Sequence, residues 1–304
     1  MTSLFIRKLL SSVIVFFGVT FLTFTLTLLV PGDPAVAIAG PKASPAVVRE
    51  IREQLGLDRP VLIQYLRYLG RLLQGDLGRS YVTREPVTQS IRQRLPATAL
   101  LAVVAWILGG SLGVLLGCLP ALYPRAAPWV FAGCTVGLAL PAFWLGLLLL
   151  YCGAYVIPVF PLGGYSGAGV VLPACALGAG LAANYARIVM ARLEDAMRSD
   201  FVRTARAKGV PRSRIVFRHA LRDVLLTVVT LLGLDLASLL GGVTLTETVF
   251  NWPGIGRLAV EAVFNQDLPT LMGTVVCATL FVVLANLIVD ACYAWIDPRT
   301  RTES

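Results

Sequence analysis

Long apolar runs without charge dominate the chain and limit what it can fold into. Residues 9–30 contain no charged side chain, and none occurs between Arg125 and Arg187. A helix needs about 20 apolar residues to cross a bilayer core about 30 Å thick. The whole chain is 57% hydrophobic and only 14% charged, whereas a soluble domain carries about 25% charged residues. The sequence therefore predicts an all-α polytopic membrane protein.

The order of these runs predicts six membrane-spanning helices. The first run is longer than the apolar region of about 7–15 residues in a signal peptide, so we expect it to be retained as a span. Prolines and glycines cluster at 158–169 and mark a turn between two helices. The predicted spans cover residues 9–30, 97–119, 129–157, 171–190, 224–246 and 268–291. Six spans place both termini on one side of the membrane.

The basic residues of the loops indicate which side that is. The segment 192–222 carries nine Lys/Arg against three Asp/Glu, whereas the loop at 158–170 carries neither. Because cytoplasmic loops are enriched in Lys and Arg, we expect 192–222 and both termini to be cytoplasmic. Segment 31–96 carries ten Lys/Arg, but loops longer than about 60 residues cross largely regardless of charge. The predicted organisation is an N-terminus and first span (1–30), an extracytoplasmic helical domain (31–96), a five-span core (97–294) and a cytoplasmic tail (295–304).

The 31–96 domain shows helix signals of its own. Ser44 followed by Pro45 predicts a helix start, and Gly56 predicts its end. Asp58 predicts the start of a second helix, whose apolar positions follow helical spacing and which Gly75 is expected to end. Two interpretations remain open: a small cap on the outer ends of the spans, or a docking surface for an extracytoplasmic partner.

The segment 199–211 predicts a short helix between two spans. Asp200 is the expected N-cap, and Gly209 with Pro211 beyond it is a stop signal, which leaves about eight helical residues. A helix this short is not stable alone and needs a surface to lie on. From the residues alone, that surface is either anionic lipid or a cleft in a cytoplasmic motor protein.

A resemblance to a known family adds to this interpretation. The sequence Arg-Thr-Ala-Arg-Ala-Lys-Gly at 203–209 resembles the EAA loop of permeases from ATP-binding-cassette (ABC) importers, in the form typical of the dipeptide/oligopeptide/nickel group. Similar segments lie along nearly the whole chain, at 56–60, 75–80, 95–98, 141–144, 247–256, 267–269 and 297–299. The resemblance implies the type I importer permease fold. Thr227 departs from the family pattern, because relatives often carry a proline there, so no kink at the start of the fifth span is carried over.

In that family the EAA loop, here within 192–222, forms a coupling helix that sits in a groove of the ATPase subunit. The resemblance assigns this role to Asp200, Arg203, Thr204, Ala205, Arg206, Ala207, Lys208 and Gly209. It also implies four further subunits: a second, homologous permease, two cytoplasmic ATP-binding-cassette ATPases and an extracytoplasmic substrate-binding protein. The location implied is the cytoplasmic membrane of a bacterium or archaeon. Similar permeases carry dipeptides, longer peptides, glutathione-like molecules or nickel chelates, and we expect a peptide.

Three residues are candidates for the pathway or a gate. Asp235 lies midway along the fifth span, where an ionised side chain should face protein or water, as a pathway residue or as a hydrogen-bonded packing residue. Glu247 lies near the outer end of that span and is expected to act as a gate or to cap the following segment. Pro141 breaks a backbone hydrogen bond and is expected to kink the third span.

Several function classes are disfavoured. No GxxxxGK[ST] motif occurs, so ATP and Mg²⁺ are expected in a partner ATPase, and we predict neither a catalytic site nor a cofactor in this chain. The six cysteines form no CxxC pair and there is one histidine, so no metal site is predicted. We attribute the net charge of +9 to basic residues between the apolar spans, which set the orientation of the chain in the membrane, and not to nucleic-acid binding. A secondary transporter acting alone is the alternative from another class, but no internal repeat supports it.

Overall fold

The computed structural model describes residues 2–29, 33–40, 43–240 and 243–296. Within these ranges every regular element is helical, and an isolated bridge pairs Arg79 with Pro86. The helices are α1 (Thr2–Leu29), α2 (Pro34–Ala39), α3 (Pro45–Leu55), α4 (Val61–Leu73), α5 (Val87–Leu122), α6 (Ala127–Ala139), α7 (Ala142–Leu150), α8 (Val171–Met197), α9 (Asp200–Ala207), α10 (Arg212–Arg214), α11 (Leu221–Leu240), α12 (Thr244–Val249), α13 (Ile255–Phe264) and α14 (Leu268–Ile296). A 3₁₀ turn (Pro124–Ala126) and two π-helical stretches (Tyr151–Val156 and Ile215–Ala220) complete the set. The all-α class is confirmed.

Among the described residues, four helical segments are long and apolar enough to cross a membrane: Leu10–Leu29, Val87–Leu122, Val171–Met197 and Leu268–Leu287. They coincide with the first, second, fourth and sixth predicted spans. The bent pair of helical segments Pro124–Ala139 and Ala142–Val156 would make a fifth span if the pair is counted as one. The apolar part of α11, Thr227–Leu240, is shorter than a span, so the count of six stays a prediction. Most of the predicted tail, from residue 297 onward, lies outside the described residues.

The third predicted span is broken in two. We predicted one kinked helix over 129–157, but α6 ends at Ala139, α7 begins at Ala142, and the two segments meet at 97°. The disturbance predicted at Pro141 is therefore present, but as a break between two helices and not as a kink within one. Proline has no N–H to donate and disfavours helical backbone in the residue before it. Leu140 accordingly adopts an extended conformation (φ −84°, ψ 123°).

Helices α5 and α8 pack closely along a stripe of small residues. Gly109, Gly113 and Gly117 of α5 face α8, and a Cβ added at Gly113 would lie 2.9 Å from the carbonyl oxygen of Ala182. In lipid, helices associate largely through such close van der Waals contact between small residues. The α5–α8 pair is thus held at van der Waals distance along this stripe.

The helix signals of the 31–96 domain are partly confirmed. Helix α3 begins after Ser44, whose Oγ accepts from the Val47 N–H at 3.5 Å, and ends at Gly56 in the left-handed region (φ +66°). Helix α4 begins after Pro60, so the predicted cap at Asp58 is misplaced. The helix ends at Gly75 as predicted: Gly75 has a φ of +77°, its N–H donates to the carbonyl of Leu72 at 2.9 Å, and the Asp76 N–H donates to that of Arg71 at 3.0 Å. Helix α5 already starts at Val87, within the predicted domain, and the bounds of the domain stay a prediction.

Helix α4 packs against the first and last long helices. Tyr65 and Tyr68 lie in a buried apolar cluster with Phe24 of α1 and Val276 of α14. The Tyr65 hydroxyl also donates to the carbonyl oxygen of Phe17 at 3.2 Å. These contacts place α4 against α1 and α14, and both interpretations of the domain stay predictions.

Candidate functional site

Helix α9 has the predicted length but a different N-cap. It covers eight residues, Asp200–Ala207, and Ser199 occupies the N-cap position with extended backbone. Asp200 is therefore the first helical residue, and the prediction that it caps the helix is wrong. Its carboxylate lies 3.6 Å from the guanidinium of Arg203, with 97% of the Asp200 side chain exposed. An acidic residue in the first turn still favours the helix through its dipole.

Gly209 ends α9 as predicted. Its φ is +75°, a conformation that costs a residue with a side chain about 1–2 kcal/mol. The Gly209 N–H donates to the carbonyl of Arg206 at 3.0 Å, and the Val210 N–H to that of Ala205 at 3.1 Å. This pair of bonds is the Schellman motif. A Cβ at Gly209 would meet no atom within 4 Å, so the backbone angle and not a lack of space requires glycine here.

The exposure of α9 is strongly one-sided. Val202 is completely buried and Ala205 is half-buried. The other side chains of the predicted coupling segment are all exposed: Asp200, Arg203, Thr204, Arg206, Ala207 and Lys208. The helix thus rests on its own chain along one edge and presents a predominantly basic face elsewhere.

The segment after α9 is firmly held by the bundle. Ile215 and Val216 of the following π-helical stretch are buried, and Val216 lies in a cluster with Val189 and Leu193 of α8. The Nε–H of Arg212 donates to the carbonyl oxygen of Ala121, at the end of α5, at 2.6 Å. The segment that follows α9 is therefore in contact with both α5 and α8.

Asp235 has a hydrogen-bond partner that sequence reasoning missed. The hydroxyl of Tyr185 on α8 donates to the carboxylate Oδ2 of Asp235 on α11. Tyr185 is completely buried and Asp235 is half-buried. The Trp106 indole N–H of α5 also donates to the carbonyl of Leu232 at 2.7 Å, one turn away on α11. The arrangement favours the packing interpretation of Asp235, and contact with substrate stays a prediction.

Glu247 lies at the centre of a buried polar network. The side chain is completely buried in the short helix α12. Its Oε1 accepts from the Thr98 hydroxyl at 2.7 Å, and its Oε2 accepts from the Arg257 backbone N–H at 2.9 Å. Because Arg257 belongs to the first turn of α13, the carboxylate caps that helix, as one of the two interpretations predicted. The gate role stays a prediction.

Neighbouring groups fix this carboxylate in place. The Thr98 hydroxyl oxygen accepts from the Ile255 N–H at 2.8 Å, and the Trp252 indole N–H donates to the Ala97 carbonyl at 2.9 Å. A Cβ at Gly254 would lie only 2.1 Å from Oε1 of Glu247. Burial raises the pKa of the Glu247 carboxyl, while the hydrogen bonds from the Arg257 backbone and from Thr98 act in the opposite direction.

The three pathway candidates occupy separate surroundings. Asp235 bonds to α8, Glu247 bonds to α5 and α13, and Pro141 sits at the break between α6 and α7. Beyond that break, α7 packs against Phe250, where a Cβ at Gly146 would lie 2.8 Å from the Phe250 ring. The three residues therefore do not form one site in this structure.

Asp267 ties the 31–96 domain to α14. Its Oδ2 accepts from the hydroxyls of Ser80 at 2.5 Å and Thr270 at 2.7 Å, and its Oδ1 accepts from the Tyr81 backbone N–H at 2.9 Å. The sequence singled out residues 267–269 only as one of the segments that resemble the family. Its contact with residues nearly 190 positions earlier has no local sequence signal.

Together, the long apolar helices and the exposed basic helix between two of them define a polytopic transport protein. Residues 109–302 match the family described as binding-protein-dependent transport system inner membrane component. Residues 1–102 match the corresponding N-terminal family of the same transport systems. The chain belongs to this family, and it is a multi-pass inner-membrane component of an ABC importer.

Full-length relatives carry the same assignment. The chain is 37% identical over 315 residues to the oligopeptide transport system permease protein AppB of Bacillus subtilis, with 98% of this chain and 99% of the relative covered. It is 40% identical over 305 residues to the glutathione transport system permease protein GsiC of Pectobacterium atrosepticum, with 99% of both covered. The GsiC protein of Escherichia coli K12 is 38% identical over 299 residues, with 97% of this chain and 98% of the relative covered.

A solved structure shows the same fold. The MetNI methionine ABC transporter, in an inward-facing conformation, aligns with a TM-score of 0.52 at 21% identity, covering 68% of this chain and 98% of the other. The family and the full-length relatives identify the chain as a translocation subunit without catalytic activity, with ATP hydrolysis in a partner ATPase. A substrate-binding protein supplies the transport system with its cargo.

Proposed function

We propose that this chain forms half of the translocation pathway of an importer for di- or oligopeptides. The support for a peptide-like substrate is that relatives aligned over almost the full chain are named for oligopeptide and for glutathione, itself a tripeptide. A nickel chelate or a glutathione-like molecule is the alternative cargo within the same importer type.

In the proposed assembly, a second homologous permease completes the pathway, two ATPases lie in the cytoplasm, and the binding protein delivers cargo from outside. Both termini and α9 face the cytoplasm, and the 31–96 domain faces outward. The excess of basic residues at 192–222 supports this orientation.

The observation that carries the coupling proposal is the one-sided burial of α9. A short helix anchored through Val202, with every charged side chain exposed, is suited to insertion into a cleft of another protein. When the ATPases close on ATP, a push on α9 would pass through the buried Val216 to α8 and through Arg212 to α5. Because α5 and α8 are packed at van der Waals distance, they would move together.

Charge reversal on α9 tests this proposal. The double variant Arg203→Glu/Arg206→Glu changes two exposed side chains, so we expect normal membrane insertion. We expect the ATPase to be lost on co-purification and import into proteoliposomes to fall at least about ten-fold, since like charges facing each other cost several kcal/mol at an interface. The matched control is Arg49→Glu/Arg59→Glu in the 31–96 domain, two exposed arginines without an ion pair among the described residues, on the opposite side of the membrane in the proposed orientation. Unchanged ATPase recovery and import in the α9 variant would contradict the proposal.

A further inference from the structure

A cavity of about 890 Å³ lies between the 31–96 domain and the adjoining ends of α1 and α14. One wall comes from α4 and the 76–84 segment, and the other from the two long helices. Apolar side chains of those long helices line part of it, namely Phe24, Leu28, Leu268 and Met272. The cavity therefore has an apolar wall formed by helices that cross the bilayer.

The opposite wall is basic. Arg67, Arg71, Arg79 and Arg84 line the cavity, against a single acidic residue, Asp76. The Asp76 carboxylate accepts from the Gly78 backbone N–H at 2.9 Å, and none of the four arginines forms an ion pair with any residue that the structure describes. Arg84 donates to the Ile38 carbonyl. The wall thus holds three more positive than negative charges.

A buried hydroxyl without a partner lies in the same wall. Tyr68 lines the cavity with 8% of its surface exposed, and its hydroxyl has no hydrogen-bond partner among the described residues. Buried polar groups in native proteins are nearly always paired, so one without a partner indicates a missing donor or acceptor. Burial raises the Tyr68 pKa to about 12, so the hydroxyl stays protonated and can donate. The charge of Arg71 acts on this hydroxyl and on that of Tyr81.

We propose that this cavity binds an anionic phospholipid. The headgroup phosphate lies among the arginines, and an acyl chain lies against the apolar wall of α1 and α14. Guanidinium groups bind phosphate through paired hydrogen bonds. A soluble anion would use the arginines but leave the apolar wall unoccupied, whereas a phospholipid matches both walls at once.

The surroundings of the cavity also fit a lipid. Leu62, Leu66 and Leu73 of α4 are exposed, as are Leu26 and Leu29 of α1. An amphipathic helix with such a face lies at the boundary between headgroups and acyl chains. The lipid would then hold the 31–96 domain against α1 and α14. The site is independent of the cargo, and in the orientation proposed above it belongs to the outer leaflet.

Lipid selectivity of the purified transporter tests this proposal. The full-length chain, purified with its partner subunits, would be placed in nanodiscs of phosphatidylcholine and titrated with fluorescently labelled phosphatidylglycerol, with labelled phosphatidylcholine as reference lipid. The test variant is Arg71→Gln/Arg79→Gln, because neither side chain donates a hydrogen bond to a described residue. The matched control is Arg49→Gln/Arg92→Gln, two exposed arginines of the same region outside the cavity.

We expect the unaltered chain to prefer phosphatidylglycerol, and the Arg71/Arg79 variant to bind it about ten-fold or more weakly, since each basic contact near a charged headgroup contributes about a factor of five. The control pair should retain the preference. Equal phosphatidylglycerol binding by all three proteins would overturn the proposal. Displacement of the labelled lipid by low-millimolar inorganic phosphate would also overturn it, because the site would then belong to a soluble anion.

Discussion

Helix α9 and the corner formed by α12 and α13 both carry charged side chains, but these side chains are exposed on α9 and buried in the corner. In the corner, Glu247 is completely buried and each of its carboxylate oxygens accepts a hydrogen bond from within the chain. On α9, Arg203 and Arg206 are exposed and only Val202 is fully buried. A buried carboxylate with hydrogen-bond partners stabilises one arrangement of the helices around it, whereas an exposed basic face is available to another molecule. The corner therefore holds one fixed arrangement, and α9 presents the surface that we propose contacts the partner ATPase.

Removing the carboxylate from the corner should have the largest effect on stability. Glu247→Ala leaves the Thr98 hydroxyl and the first turn of α13 without their acceptor, so we expect the free energy of unfolding to fall by about 2–4 kcal/mol. Denaturant unfolding in mild detergent measures it. The control Glu194→Ala removes a carboxylate whose side chain is 63% exposed and should shift stability far less. Equal losses in the two variants would show that the corner is no more rigid than the surface.

A methyl group added inside the corner should have the next largest effect. Gly254→Ala places a Cβ 2.1 Å from the Glu247 carboxylate, so we expect a loss of about 1–3 kcal/mol from overpacking. The matched control is Gly180→Ala on α8, where a Cβ meets no atom within 4 Å. If Gly254→Ala is as stable as Gly180→Ala in the same unfolding assay, the network around Glu247 is looser than described.

A substitution at Gly209 should impair the coupling of ATP hydrolysis to import while it leaves the stability of the rest of the protein nearly unchanged. Gly209→Val forces a β-branched residue to φ +75°, at a cost of about 1–2 kcal/mol that falls mainly on the end of α9. We expect normal membrane insertion but import reduced at least about ten-fold per ATP hydrolysed, because the chain would leave the end of α9 in a different direction. Gly209→Asn is the control, since asparagine tolerates the left-handed region and should retain import. Retained import in the valine variant would contradict the coupling role.

The smallest effect is expected at the exposed end of α9. Asp200→Asn removes a carboxylate that is 97% exposed and lies 3.6 Å from Arg203, so the thermal midpoint should move by less than about 2 °C. A thermal scan in detergent measures it. A shift of more than about 5 °C would mean that α9 is integrated into the fold, and its comparison with the corner would fail.

The same two regions show what could be predicted from the sequence. The length and the end of α9 were readable because the stop signal at Gly209 and Pro211 acts on residues within one or two turns. The cap was placed one residue too late, at Asp200 instead of Ser199. The Glu247 network was not readable, because Thr98 lies 149 residues away along the chain.

Other differences have the same physical origin. Pro141 indicated a disturbance of the third span, but neither the 97° angle of the break nor the contact of α7 with Phe250, which lies far along the chain, could be predicted from the sequence. Asp235 was recognisable as a costly charge within an apolar helix, yet its partner Tyr185 comes from a different helix and carries no pattern that points to it. Residues close together in the sequence were enough to predict most of the helices. The contacts between helices join residues that are far apart in the sequence, so they became visible only in the structure.

Site-specific crosslinking from α9 tests the central claim most directly. A photo-crosslinking amino acid would replace Thr204, which is exposed on α9, or Thr83, which is exposed in the 31–96 domain, and the full transporter would be irradiated in native membranes. We predict an adduct with the ATPase from position 204 and none from position 83. Adducts with the ATPase from position 83, or lipid adducts alone from position 204, would contradict the assignment of α9 as the coupling helix.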